Sequence, residues 1–248
     1  MHSVTSSDDL ALSRRFMGWH TEPFMDVFLE ALKNIDESVL KNCRVLEIGA
    51  CGESAISLFF LLKGSYVDIT THQTSEVHEI SSLVSQETGL LSLDRGKVRV
   101  FLLDANAITE RAEYDIIIMK AVLGGLDRHH NLRALAGVLL RCSKALREGG
   151  HLIILDKGYA SKAHNVLLRR YGAAGKNDWH YFTDSEIKSI LPSDGTVSVF
   201  WAGFLSIGVL PSQWLQKLVD FTDRAILRNV FKKRGTAFAA VYTKRGSA

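Results

Sequence analysis

Cysteine is scarce: Cys43, Cys51 and Cys142 are the only three in 248 residues. An odd number in a chain this long makes no disulfide framework and points to a reducing compartment. No Cys/His cluster has zinc spacing. Long apolar runs are missing too. The longest, around Ala55 to Leu62, falls well short of the roughly 20 residues that cross a bilayer. No N-terminal segment has the basic, apolar, small-residue order of a signal peptide. A soluble, cytoplasmic protein is the expectation. Nor is there an excess of charge. Lys and Arg number 30 against 27 Asp and Glu, a net +3, so no global field argues for nucleic acid. With 46% hydrophobic and 23% charged residues, the chain suits one globular domain with a sizeable core.

The informative stretch is Arg44-Val45-Leu46-Glu47-Ile48-Gly49-Ala50-Cys51-Gly52-Glu53-Ser54. It opens as a short apolar run, the pattern of a buried parallel strand. It then breaks into small residues that turn tightly, and Ala55 to Leu62 reads as a helix closed by Lys63-Gly64. Strand, turn and helix form the first βα unit of a doubly wound nucleotide-binding fold. A pyrophosphate at the helix start requires Gly-x-Gly-x-x-Gly. This chain has Gly49 and Gly52, and places Glu53 where a phosphate would sit. A carboxylate there repels a phosphate and tolerates a sulfonium.

Val45 to Ala50 resembles the first motif of class I S-adenosylmethionine-dependent methyltransferases. The resemblance continues in order: Leu103-Asp104-Ala105 after a strand over Val98–Leu102, a strand over Tyr114 to Lys120, and Ala145-Leu146-Arg147-Glu148-Gly149-Gly150-His151-Leu152-Ile153-Ile154. It spans most of Arg44 to Asp156. It implies an α/β fold: a Rossmann-like, doubly wound, seven-stranded sheet with helices on both faces and the last strand antiparallel. The domain runs from 44 to 248, with a helical insertion at about 211–231 that forms a lid or a dimer face. Residues 1–43 form an N-terminal helical segment covering the site.

The resemblance also implies S-adenosylmethionine as cofactor and assigns roles. Glu47 holds the amino group of the methionine moiety, and the turn of Gly49, Ala50 and Gly52 passes under the cofactor. Asp104 accepts from the adenine amine while the Ala105 N–H donates to the ring, and Lys120 lies near the methyl. Two readings compete for the ribose. A shortened second strand would place Asp68 in the slot; a normal strand would leave it to Thr71 or His72.

Missing features narrow the chemistry further. The Asn/Asp-Pro-Pro-Tyr of amino-directed methyltransferases has no counterpart, since the prolines are only Pro23, Pro192 and Pro211. A catechol-type Mg²⁺ site needs acids after the fourth and fifth strands; here Lys120 stands at the first and Asp156-Lys157 at the second. The expectation is metal-independent transfer to an O or N atom of a small molecule. An oxygen acceptor would need a base. His129, His130, Asp156, His164 and His180 are the candidates, with Asp156 and His180 ahead because their loops follow the acceptor side. Leu46 to Ala50, Lys120 to Gly125 and Trp179 to Tyr181 are similar to methyltransferases of polysaccharide or natural-product pathways. Two alternatives stay open. Departures at Cys51, Glu53 and Thr71 fit a non-catalytic partner subunit. The basic Lys232-Lys233-Arg234 and Lys244-Arg245 fit, less well, an RNA methyltransferase.

Overall fold

The protein is described here by a computed structural model, covering residues 11, 14–18, 22–52, 54–127, 131–162, 179–204, 221–222 and 233–246. Glu53, His129, His130, His164 and nearly all of the expected 211–231 insertion lie outside the described residues.

Chain order gives helix α1 (Glu22–Leu32), β1 (Arg44–Ile48), α2 (Leu58–Leu62), β2 (Tyr66–Thr71), α3 (Thr74–Leu90), β3 (Val98–Leu102) and β4 (Tyr114–Lys120). It continues with α4 (Leu123–Leu126), α5 (Leu132–Ala145), β5 (Leu146–Lys157), α6 (Asp184–Ile190), β6 (Gly195–Ala202) and β7 (Ala237–Lys244). The seven strands pair in the order β3-β2-β1-β4-β5-β7-β6. All run parallel except β7, which is antiparallel to both β5 and β6. The expected sheet is present. Parallel strands buried on both faces read as continuous apolar runs, as in Ile116-Ile117-Ile118-Met119, all buried.

Two apolar clusters lie on opposite faces of the sheet. One joins α1, α2 and α3 through Phe28, Phe59 and Ile80; the other joins α5 and α6 through Leu139, Cys142 and Ile187. The N-terminal helix α1 packs on β5, β6 and β7. Phe28 and Leu32 are fully buried, each contributing about 2 kcal/mol of burial, so this helix shares the sheet's own core. Thr183 opens α6 with a capping box to Glu186.

Three boundaries differ from the sequence reading. Helix α2 begins at Leu58, not Ala55, because the preceding amides are held by Glu47. Strand β2 runs its full length to Thr71. Strand β5 already starts at Leu146, with Arg147 to Gly150 absorbed in a shift of register against Tyr114 and Ile116. Among the described residues, no helix is long and apolar enough to cross a membrane.

Candidate active site

The ends of β1, β2 and β4 meet at one edge of the sheet, where open α/β sheets bind ligands. The first turn is close-packed. Gly49 has φ +78°, and a β-carbon there would lie 2.5 Å from Val122 Cγ2. The amides of Gly49 and Ala50 both donate to the Thr70 carbonyl, at 3.0 and 2.8 Å. Cys51 and Ser54 bond each other's backbone. Gly52 faces Glu79 rather than the pocket. Glu47 is 1% exposed. Its carboxylate accepts from Ile56 N at 3.1 Å, from Ser57 N at 2.9 Å and from the Ser57 hydroxyl. Burial pushes its carboxyl above the usual range, against the Ser57 hydrogen bonds and the Lys120 charge. Glu47, to which the resemblance assigns the cofactor's amino group, is thus engaged within the chain. Its oxygens already hold the start of α2, and it does not line the pocket. With these amides engaged inside the protein, the turn offers no nest for a pyrophosphate.

Strand β2 runs its full length to Thr71, which leaves Asp68 inside the strand and not at its end. Asp68 pairs with Leu46 in mid-sheet and is 4% exposed. Arg99 donates to both its oxygens, at 2.7 and 2.6 Å, and the Tyr114 hydroxyl donates at 3.1 Å. Burial, then Asp68, pushes the Tyr114 phenol up to about 12. Thr71 and His72 occupy the strand end instead. The Thr71 hydroxyl donates to Glu76 in the first turn of α3, and His72 and Glu76 line the pocket together. Glu76 is the carboxylate the sequence reading missed. An acid at the third position of a helix usually caps its own terminus; this one reaches back to the strand.

At the end of β4, the Lys120 ammonium donates to the Met17 carbonyl and the Ser54 hydroxyl. It thereby ties the N-terminal segment to the first turn while still lining the pocket. Burial lowers its pKa, opposed by Cys51 and Glu47. The next residue, Ala121, has φ +53°, a left-handed conformation that costs an alanine about 1 kcal/mol or more. It too lines the pocket. At the end of β3, the exposed Asp104 accepts from Asn106 and caps a 3₁₀ turn over Ala105–Ala107. It stands on the same edge as Thr71, whose carbonyl accepts from Leu103 N.

The other side of the pocket is Trp179, lying against Gly124 and Gly125. A β-carbon on Gly124 would overlap the Trp179 ring nitrogen. Asp156 holds this arrangement. It is fully buried, and accepts from Trp179 Nε1 at 3.2 Å, Gly124 N at 3.2 Å and Lys157 N at 2.7 Å. Lys157 Nζ stacks over the indole, 4.7 Å from its centre. Burial raises the Asp156 carboxyl pKa, opposed by these donors. His180 sits behind Trp179, Nδ1 3.2 Å from Asp127 and Nε2 3.4 Å from Glu186. Asp156 and His180 stand behind Trp179, outside the residues that line the pocket. The hollow between the first turn, Lys120 to Val122 and Trp179 measures about 250 Å³.

The family model described as tellurite resistance protein TehB matches residues 25–161. The chain belongs to the TehB family. Solved structures share the fold at low identity. A methyltransferase of Methanosarcina mazei, described as S-adenosylmethionine-dependent, is 14% identical with a TM-score of 0.59, over 87% of this chain and 97% of that one. A Haemonchus contortus phosphoethanolamine N-methyltransferase, solved with S-adenosylmethionine, is 13% identical with a TM-score of 0.59, over 99% of this chain and 58% of that one. A structure from Haloferax volcanii joins a candidate methyltransferase to the Trm112 methyltransferase activator. It is 14% identical with a TM-score of 0.59, over 97% of this chain and 95% of that one. No curated protein sequence matches significantly. The TehB-family chain is thus a class I S-adenosylmethionine-dependent methyltransferase, the kind its motifs resemble.

Proposed function

We propose that this chain moves the methyl group to an O or N atom of a small molecule seated against Trp179, without a metal. The observation that carries the reading is the indole wall. Asp156 fixes Trp179 over a floor of two glycines, facing the first turn across one hollow. The residues present fit the cofactor. No bonded set of backbone amides calls for a pyrophosphate. In this reading Glu76 and His72 would take the ribose hydroxyls, Asp104 the adenine amine, and Lys120 the methionine carboxylate. Bound there, S-adenosylmethionine supplies an electrophilic methyl on a sulfonium, open to in-line displacement.

The chain's own part is alignment. Holding the acceptor in line contributes up to roughly 7–11 kcal/mol in favourable cases. Trp179 limits how the acceptor lies, and Asp156 holds Trp179. His180 braces the segment from behind through Asp127 and Glu186. Both are positioning residues in this reading. The ammonium at the end of β4 repels a divalent cation, and the Asp156 carboxylate that would attract one is taken up by Trp179 and two backbone amides.

Gly124→Ala tests the wall. The added methyl displaces the indole but leaves the first turn intact. We expect methyl transfer from labelled cofactor, measured across an acceptor panel, to fall at least tenfold while cofactor affinity stays within about twofold. Unchanged transfer by this variant would contradict the reading.

A further inference from the structure

A second cavity, about 630 Å³, opens beside the ends of β5 and β7. Tyr159 and Lys162 reach it from the chain after β5, Ser185 from α6, and Lys233 and Arg234 from the turn before β7. Lys162, Lys233 and Arg234 are exposed, and among the described residues none of them has a hydrogen-bond or ion-pair partner. Lys33, Lys144, Arg147 and Lys188 are each paired with a carboxylate, while Lys41, Arg95, Arg133 and Arg141 stand unpaired, among the described residues, on separate parts of the surface; what distinguishes these three is that they share one hollow. Among the described residues the one acid in the cavity wall, Asp184, is held by Lys188 at 2.7 Å and by Trp201 Nε1 at 3.3 Å. The start of α6 is closed by its own capping box, so the cations carry the argument. Like charges gathered in one hollow repel unless an anion joins them.

This cavity is tied to the methyl-transfer pocket. The segment from Trp179 to Thr183 borders both, and it pairs with β5 through Phe182 N to Lys157 O and Tyr159 N to Phe182 O. Four residues span at most about 14 Å. We infer that the cavity binds the phosphoryl end of an acceptor whose methylated atom lies against Trp179. Three cations against one compensated carboxylate exceed what a monoanion needs and match a dianion. The guanidinium of Arg234 supplies the planar fork that phosphate oxygens accept. The acceptor role rests on the reading under Proposed function; the anion site itself does not.

Calorimetric titration with inorganic pyrophosphate, and separately with inorganic phosphate, reads the site without any methyl transfer. Saturable one-to-one binding should weaken at least tenfold in the Lys233→Ala/Arg234→Ala double variant and measurably in Lys162→Ala. S-adenosylmethionine affinity should be unchanged in both variants, which also reports that they fold. Three results would overturn the proposal: no saturable binding of either anion, binding indifferent to the variants, or a single-stranded oligoribonucleotide binding with a salt slope set by several phosphates. Failure of cofactor binding with pyrophosphate binding intact would count against the methyltransferase reading alone.

Discussion

The two halves of the site edge are built in opposite ways. On the β1–β2 side, charged groups are turned inward: Glu47 holds the start of α2, and Asp68 holds Arg99 and Tyr114. On the β4–β5 side, Asp156 is also buried, but its bonds aim an aromatic ring at the pocket. The lesson is that an acidic residue at a strand end shapes a site through what it fixes. On one side it fixes backbone, on the other a wall. Breaking the first should unfold the edge; breaking the second should reshape the pocket.

The largest effect is expected from Glu47→Ala. Two amides and a hydroxyl lose their acceptor inside the core, and each buried unsatisfied donor costs about 1–3 kcal/mol. A loss of roughly 3 kcal/mol or more in urea unfolding follows; a loss below about 1 kcal/mol would place the carboxylate outside this network. Asp68→Asn should cost less, about 1–2 kcal/mol, because Arg99 is 61% exposed and its pair is screened by water. Cofactor affinity should not change in Asp68→Asn, and a tenfold loss there would return Asp68 to the ribose slot.

The smallest effect is a pH slope. Burial holds the Asp156 carboxyl above its usual 3.8, so the folded state binds that proton more tightly than the unfolded chain. Its stabilising contribution is full below 3.8 and is lost as the pH rises through the folded value. Asp156→Asn should flatten the fall of melting temperature with pH above 3.8, relative to the parent chain. A variant with an unaltered slope would show that this carboxyl is not responsible.

Much of this edge was legible in the sequence, for a physical reason. Apolar runs and small-residue turns are local, so β3 falls on Val98–Leu102 as read. The order of motifs from Val45 to Ile154 carried the sheet. Side-chain partners were not legible. Nothing near Asp68 announces Arg99, 31 residues away, and the choice between Asp68 and Thr71 turned on where one strand stops. Glu76 resembled an ordinary acid in a first helical turn until Thr71 was seen beside it. Asp156 looked like a base because it follows β5; only its three donors reveal that it faces inward.

The decisive measurement is calorimetric titration with S-adenosylmethionine, comparing the parent chain with Glu76→Gln. Among the described residues Glu76 is the carboxylate that lines the pocket, and it is paired to the end of β2; losing a hydrogen bond to a charged acceptor is worth about 1.5–3 kcal/mol. Saturable binding by the parent, weakened tenfold or more in Glu76→Gln, is the expected result. No heat from the parent, or equal affinity in the two proteins, would contradict it.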